Sequence, residues 1–326
     1  MLIAITACGK NPEQARKDLE QMGYSYEPYT FRKCIENGDA NAVKLFLEAG
    51  MKSDVADMNE VKWGGLSSLM LAAESGKPEI VMLLLAKDTD VNRTNSAEHT
   101  ALMSAASYGN ITTVKILLDK GAKVNAKDIS GETALVYAVK QNHTSVVELL
   151  LAKGAEANVQ VKQPEKPPLI IAAEKNNTDI VQLLLNKGAD VNAKNYDETA
   201  LGYAIENGNT AMVLALLDKG ADVNGKVSSF NGFTYLMLAA KKGHTDIVKA
   251  LLSKSAEVDV KDSRACTALM FAAENGHTDI VKALLNKGAD INAKDKWNGK
   301  TALKCAEENH HIETAEVLRQ AGAKEQ

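Results

Sequence analysis

Residues 267–292 read TALMFAAENGHTDIVKALLNKGADIN, and the fold follows from how this stretch is read. Leu269, Ala272 and Ala273 fall on one face at helical spacing, and the small alanines permit close helix approach. Gly276 ends that pattern, because a residue without Cβ takes positive φ readily. Thr278 then serves as a cap, with Asp279 in the first turn near the positive end of the helix dipole. Ile280, Val281, Leu284 and Leu285 form a second apolar stripe, which Gly288 closes. Residues 289–299 have the Asn, Asp, Lys and Gly content of a turn, flanked by Ile291 and Thr301. Helices this short are not stable alone, so the unit needs a neighbour.

The neighbour is another copy of the same unit. Aligned on the position of Leu269, the copies mark Phe31, Leu69, Leu102, Leu135, Leu169, Leu201, Leu236, Leu269 and Leu303, at steps of 38, 33, 33, 34, 32, 35, 33 and 34 residues. A period of that size belongs to stacked repeats and to no single-core globular fold. The small apolar pair, the Gly-His step, the Leu-Leu pair and the Gly-Ala-Asp-Val-Asn ending together resemble the ankyrin repeat. The family's Thr-Pro-Leu-His opening reads Thr-Ala-Leu-Met at 100–103 and 267–270, so Pro and His are both replaced. The resemblance covers residues 24–325. It implies an all-α solenoid of about nine stacked helix-turn-helix repeats joined by β-hairpin-like connectors, here residues 29–326. It also implies protein–protein recognition over a concave, solvent-exposed face, with no cofactor and no catalysis.

Composition adds bounds. Charged residues make up 25% of the 326 and the formal charge is −4, so no bulk basic excess argues for nucleic acid. Cys8, Cys34, Cys266 and Cys305 lie far apart without metal-type spacing. Cys34 and Cys305 read as replacements of core alanines, and Cys266 as the end of a connector. No HExxH, Gly-x-Ser-x-Gly or phosphate loop occurs, and the acidic residues recur on solvent faces, so the chain reads as a non-enzyme. His143, His244, His277 and His311 share one register after the first helix, which predicts hydrogen bonds to connector backbone and not metal ligation.

The N-terminus carries a separate signal. Ile5-Thr6-Ala7-Cys8-Gly9 resembles a bacterial lipoprotein cleavage box, in which the cysteine is lipidated. A basic n-region and a long apolar stretch are missing, so residues 1–8 read either as the remnant of a signal peptide or as a short apolar start with a chance cysteine. Residues 1–28 are accordingly a tether if Cys8 is an anchor, and otherwise a cap over the first copy. No other segment reaches a membrane-spanning length, so membrane contact would come only through Cys8. Glu307, Thr314 and Arg319 break the last copy's apolar pattern where a further neighbour would pack, so both ends read as capped and the chain as a monomer. The proline-rich connector 159–168 reads as a stiff continuation of the stack, with a hinge as the alternative.

Partner-binding residues are those the repeat does not need. The fifth residue after each key position is acidic in six of nine copies: Glu36, Glu74, Glu174, Glu206, Glu274 and Glu308. Connector tips carry a lysine row, Lys127, Lys194, Lys226, Lys261 and Lys294. Aromatics are few, which makes Trp297, Phe230 and Tyr196 on connectors, Phe233 beside one and Tyr108 on the inner wall candidate anchors. Trp63 sits in the insertion between residues 50 and 66, where a contact residue or an aromatic folded back over the connector are both open readings. The leading expectation is a scaffold for a folded protein or extended peptide, regulating or protecting a cell-envelope partner in a bacterial periplasm. A secreted effector binding host proteins is the alternative, and a salt-dependent nucleic-acid or membrane-surface binder a third reading.

Overall fold

The computed structural model describes residues 10–54, 65–87, 89–162, 166–227 and 232–324. The chain divides into two compact units, Met1–Lys162 and Gln163–Gln326, and the division falls inside the proline-rich connector. Cys8, Trp63 and Phe230 lie outside the described residues.

In the first unit, α1 (Pro12–Gln21) precedes four helix pairs: α2 (Pro28–Asn37) with α3 (Ala40–Glu48), α4 (Ser68–Glu74) with α5 (Pro78–Leu85), α6 (Ala101–Ser107) with α7 (Ile111–Asp119), and α8 (Ala134–Lys140) with α9 (Thr144–Ala152). The second unit holds five pairs: α10 (Pro168–Glu174) with α11 (Thr178–Asn186), α12 (Ala200–Glu206) with α13 (Thr210–Asp218), α14 (Tyr235–Lys242) with α15 (Thr245–Ser253), α16 (Ala268–Glu274) with α17 (Thr278–Asn286), and α18 (Ala302–Glu308) with α19 (Ile312–Gln320). Within each unit, first helices pack on first helices and on their own second helices. A helix covered on several sides must be apolar nearly all round, and residues 68–73 of α4 and 268–273 of α16 are all buried. The second helices bury one stripe, Ile280, Val281 and Leu284 in α17. α1 acts as the cap: Ala15 and Leu19 are buried, α1 packs on α3, and the Arg16 guanidinium lies 4.5 Å over the Tyr26 ring.

Six of the first helices are capped by a hydroxyl. Ser67, Thr100, Thr199, Thr234, Thr267 and Thr301 each accept a hydrogen bond from the N–H three residues on. In α10 a proline pair takes over, with Pro168 at N1, where its missing N–H costs nothing.

The joints between copies use polar side chains placed by the repeat. Asn192 donates from Nδ2 to Gly220 O (3.2 Å) and accepts from Asp222 N (2.9 Å). Asn92 and Asn125 make the same pair of bonds in the first unit. This bridging explains the asparagine at these three positions, while Asp259, which closes another copy, accepts from Asp290 N (2.8 Å). At the other end of the copy, His143 Nε2 lies 3.0 Å from Ser107 O, His277 Nε2 3.3 Å from Lys241 O and His311 Nε2 3.0 Å from Glu274 O. Asn110 reaches Ala73 O (2.7 Å) and Glu74 O (3.0 Å) from the same position. Each satisfies carbonyls left open at the end of the preceding copy's first helix. The histidine register is therefore structural at these three residues. His244 Nε2 is buried without such a bond, and burial and the nearby Lys242 ammonium depress its basicity.

The connectors differ from the expectation of β-hairpins. Among the described residues no strand forms, and only the isolated bridges Thr94–Thr100, Asn195–Glu198 and Lys226–Thr234 appear. A tip closes over one residue pair, as Asp128 N to Glu132 O (3.0 Å), and outer N–H groups of some tips donate to the preceding tip: Ile129 N to Ala97 O (3.1 Å) and Lys296 N to Arg264 O (2.8 Å). Backbone groups spent between copies are not available for a ladder within one. Thr314 is a second correction. It is buried, and its hydroxyl lies 2.8 Å from that of Thr278, so it faces the preceding copy and not water.

Gly109 joins both demands of a joint: its φ is +72°, and a Cβ there would meet His143 Nδ1 at 2.6 Å. Gly109→Ala is expected to destabilise the protein by about 1–2 kcal/mol through the left-handed backbone, plus displacement of the ring. Urea denaturation of Gly109→Ala, His143→Ala and the double variant checks this. A double-variant loss equal to the sum of the singles would refute the ring contact.

Candidate interaction surface

Tip geometry explains which side chains reach solvent. In the regular tips an Asx side chain accepts two backbone N–H groups. Asp128 Oδ1 takes Ser130 N (2.9 Å) and Glu132 N (2.8 Å), and Asp262 Oδ1 takes Arg264 N (2.9 Å) and Cys266 N (2.8 Å). Asn95 Oδ1 does the same for Ala97 N and His99 N. Each also has one residue at positive φ, as Glu98, Gly131 and Ala265. The tip at 195–198 is one residue shorter and puts Tyr196 in that conformation, at φ +54°. The tip at 295–300 is one residue longer, with Gly299 at φ +68° and Asp295 Oδ1 accepting from Asn298 N and Lys300 N, both 3.0 Å. Tyr196 and Trp297 are consequently 71% and 75% exposed.

Tyr196 and Trp297 both lie in the second unit, on tips three copies apart. At a helix-packing distance of 8–10 Å per copy this is roughly 30 Å. Lys194 shares a tip with Tyr196, Lys294 shares one with Trp297, and Lys261 stands on one of the two tips between; all three are exposed. Tyr108 caps α6 in the first unit, 59% exposed, beside Glu74, whose carboxylate and partial burial raise the phenol pKa. Lys127 is exposed on a first-unit tip, beside Ile129, which is 52% exposed and escaped notice because an isoleucine in a connector reads as core.

Phe233 is not a surface residue. It is 3% exposed and meets Phe271 edge-on with ring centroids 4.9 Å apart. Tyr235 is likewise interior, its hydroxyl 2.5 Å from Thr199 Oγ1, with its ring against Gly202 and Gly225. It lines a groove of about 610 Å³ with Thr199, Asp197, Lys194, Asp222 and Lys226.

The acidic row is not an open field. Glu206 pairs with Lys242 of the next copy and Glu308 with Lys300. Glu174 is 2.9 Å from Lys166, whose Nζ also reaches Glu198 (3.2 Å) and the Tyr203 hydroxyl (2.6 Å). Burial opposes the Lys166 charge, but these three bonds outweigh it and raise its pKa. Exposed pairs of this kind contribute little stability individually, though they leave the surface with mixed charge.

Of the cysteines, Cys305 differs from expectation. Cys34 is buried where copies carry alanine, and burial pushes its thiol up to about 11. Cys305 instead aligns with Phe271 of the preceding copy, two residues past the key leucine, and is only partly buried. Among the described residues no group of three or more His, Cys, Asp or Glu could hold a metal ion. No described helix is long and apolar enough to cross a membrane.

Comparison with known proteins agrees with this geometry. The family description "Ankyrin repeats (3 copies)" matches residues 25–95, 69–161, 157–227 and 236–326, and "Ankyrin repeats (many copies)" matches residues 203–252. The chain belongs to the ankyrin-repeat family, whose fold is typical of non-catalytic protein-interaction and scaffold modules. Among solved structures, the human ASB11 ankyrin repeat domain is similar in fold, with a TM-score of 0.56 and 24% identity over 68% of this chain and 98% of that one. No curated protein matches the sequence.

Two depressed histidines set a pH dependence. Burial lowers the His99 pKa below 6.5 against the opposing pull of Asp128, and His244 is lowered too. Both bind protons more weakly folded than unfolded. Their contribution is thus complete above pH 6.5 and is lost as pH falls from there through the folded values. The urea midpoint should drop between pH 7.5 and 5.5, and drop less in His99→Gln/His244→Gln. Identical pH slopes in the two proteins would refute it.

Proposed function

We propose that this chain is a binding module that grips a folded protein or extended peptide through its connector tips and the adjoining first-helix ends. Tyr196, Trp297, Phe230 and Tyr108 are its aromatic anchors, Lys127, Lys194, Lys261 and Lys294 its flanking cations, and Trp63 a further contact in the 50–66 insertion. One observation carries the reading: Tyr196, Phe230 and Trp297 sit on tips 195–198, 227–233 and 295–300, each of a length that departs from the regular closure, as do the connectors ahead of Leu69, which holds Trp63, and Leu169. A tip that only stacked would need neither the altered length nor a tyrosine at positive φ, a backbone cost of about 1–2 kcal/mol. Affinity would rest on these few anchors and not on contact area. The module works as a monomer in this reading.

The Cys8 box favours a lipid-anchored form in a bacterial envelope, where the partner would be a neighbouring protein that this chain protects or regulates. An exported form binding host proteins is the alternative. A nucleic-acid or membrane-surface partner would instead show a steep loss of affinity on adding salt.

Affinity capture from native extract with residues 11–326, against the Tyr108/Tyr196/Phe230/Trp297→Ala variant, tests the surface. A protein retained by the first bait and lost by the folded variant is the expected result; equal retention by both rejects these anchors. Tyr196→Gly separates strain from contact. It should leave stability unchanged or raise it by about 1 kcal/mol while weakening retention.

A further inference from the structure

One contact register recurs where successive copies meet. The residue three before a copy's key leucine touches the residue two after the next copy's key leucine. His99 meets Tyr137 edge-on at 5.0 Å between ring centroids, and Phe233 meets Phe271 at 4.9 Å. The next instance of this register is Cys266 with Cys305. Neither is fully buried, and both are free thiols. Their mutual electrostatic influence places them within interaction range of each other. The stack thus sets the two thiols at the pair of positions that two rings fill one copy earlier.

We propose that Cys266 and Cys305 form a dithiol that oxidises to an intramolecular disulfide, a modification site that covalently joins the last two copies. The bond would run from the connector ahead of α16 to the first turn and a half of α18, enclosing the Trp297 tip between its ends. Oxidation needs a two-electron acceptor, such as a diazene or a small-molecule disulfide. One thiolate attacks the acceptor; the second displaces it from sulfur. The S–S bond forms as two S–H bonds are lost, and the acceptor takes up two electrons and two protons. Burial, with nearby carboxylates, pushes the Cys305 thiol up to about 11 and raises that of Cys266. The pair is thus a slow nucleophile at neutral pH, and its oxidation should accelerate by about tenfold per pH unit on the alkaline side.

The test treats dilute, folded full-length chain with diamide at pH 8, then alkylates the remaining thiols, digests without reductant and maps the peptides. The expected result is a mass loss of about 2 Da and a cross-linked Cys266–Cys305 peptide that reductant releases. Cys266→Ser and Cys305→Ser should each abolish that peptide, and Cys34→Ser should keep it. Cys266→Ala provides a second probe should Cys305→Ser fail to fold. Full alkylation of both cysteines after diamide, or cross-links only between molecules, would overturn the proposal.

Discussion

Among the described residues no helix exceeds ten residues, and that shortness governs everything else. A helix of two turns leaves about as many backbone groups open at its ends as it pairs inside. Burial of the apolar faces draws copies together, but it cannot satisfy those open carbonyls. The structure answers with side chains lent from one copy to its neighbour, His143 on Ser107 O and Asn192 on Gly220 O among them. The recurrent histidines and asparagines at the joints have such a task. The regularity of the sequence is the regularity of these loans.

The architecture was legible because it rests on spacing. Key leucines, small alanine pairs, capping hydroxyls and the glycine, asparagine or histidine after each first helix map onto α4 through α19. What escaped the sequence depends on partners from outside the copy. Connectors with turn composition look like hairpins until the tip groups are seen bonded to the preceding tip, as Lys296 N is to Arg264 O. Thr314 reads as a water-facing substitution in isolation, yet another threonine one copy back turns it into a buried hydroxyl pair. Cys305 was aligned with an alanine when its neighbour in register is Phe271.

The candidate surface was legible to a lesser degree. Scarcity singled out Tyr196, Trp297 and Tyr108, and all three are exposed. Phe233 shows the limit of that argument: beside a connector, an aromatic can close the core as readily as leave it, and only its meeting with Phe271 decides. The acidic row illustrates the same point in charge. Glu206 and Glu308 repeat with the period of the stack, but Lys242 and Lys300 answer them, so a column of carboxylates in sequence becomes a mixed surface in space.

The direction of lending has a consequence for how the chain can be shortened or extended. At the ends of the first helices the later copy always gives and the earlier always receives: His311 covers Glu274 O, and the reverse arrangement does not occur among the histidine joints. The stack therefore has a polarity beyond the order of its residues. Cutting a copy from the C-terminal side uncovers first-helix carbonyls within what remains, whereas cutting from the N-terminal side leaves spare first-helix donors and uncovers connector carbonyls such as Gly220 O. The two faces made by such cuts are therefore chemically unlike: one leaves helix-end carbonyls open, the other connector carbonyls.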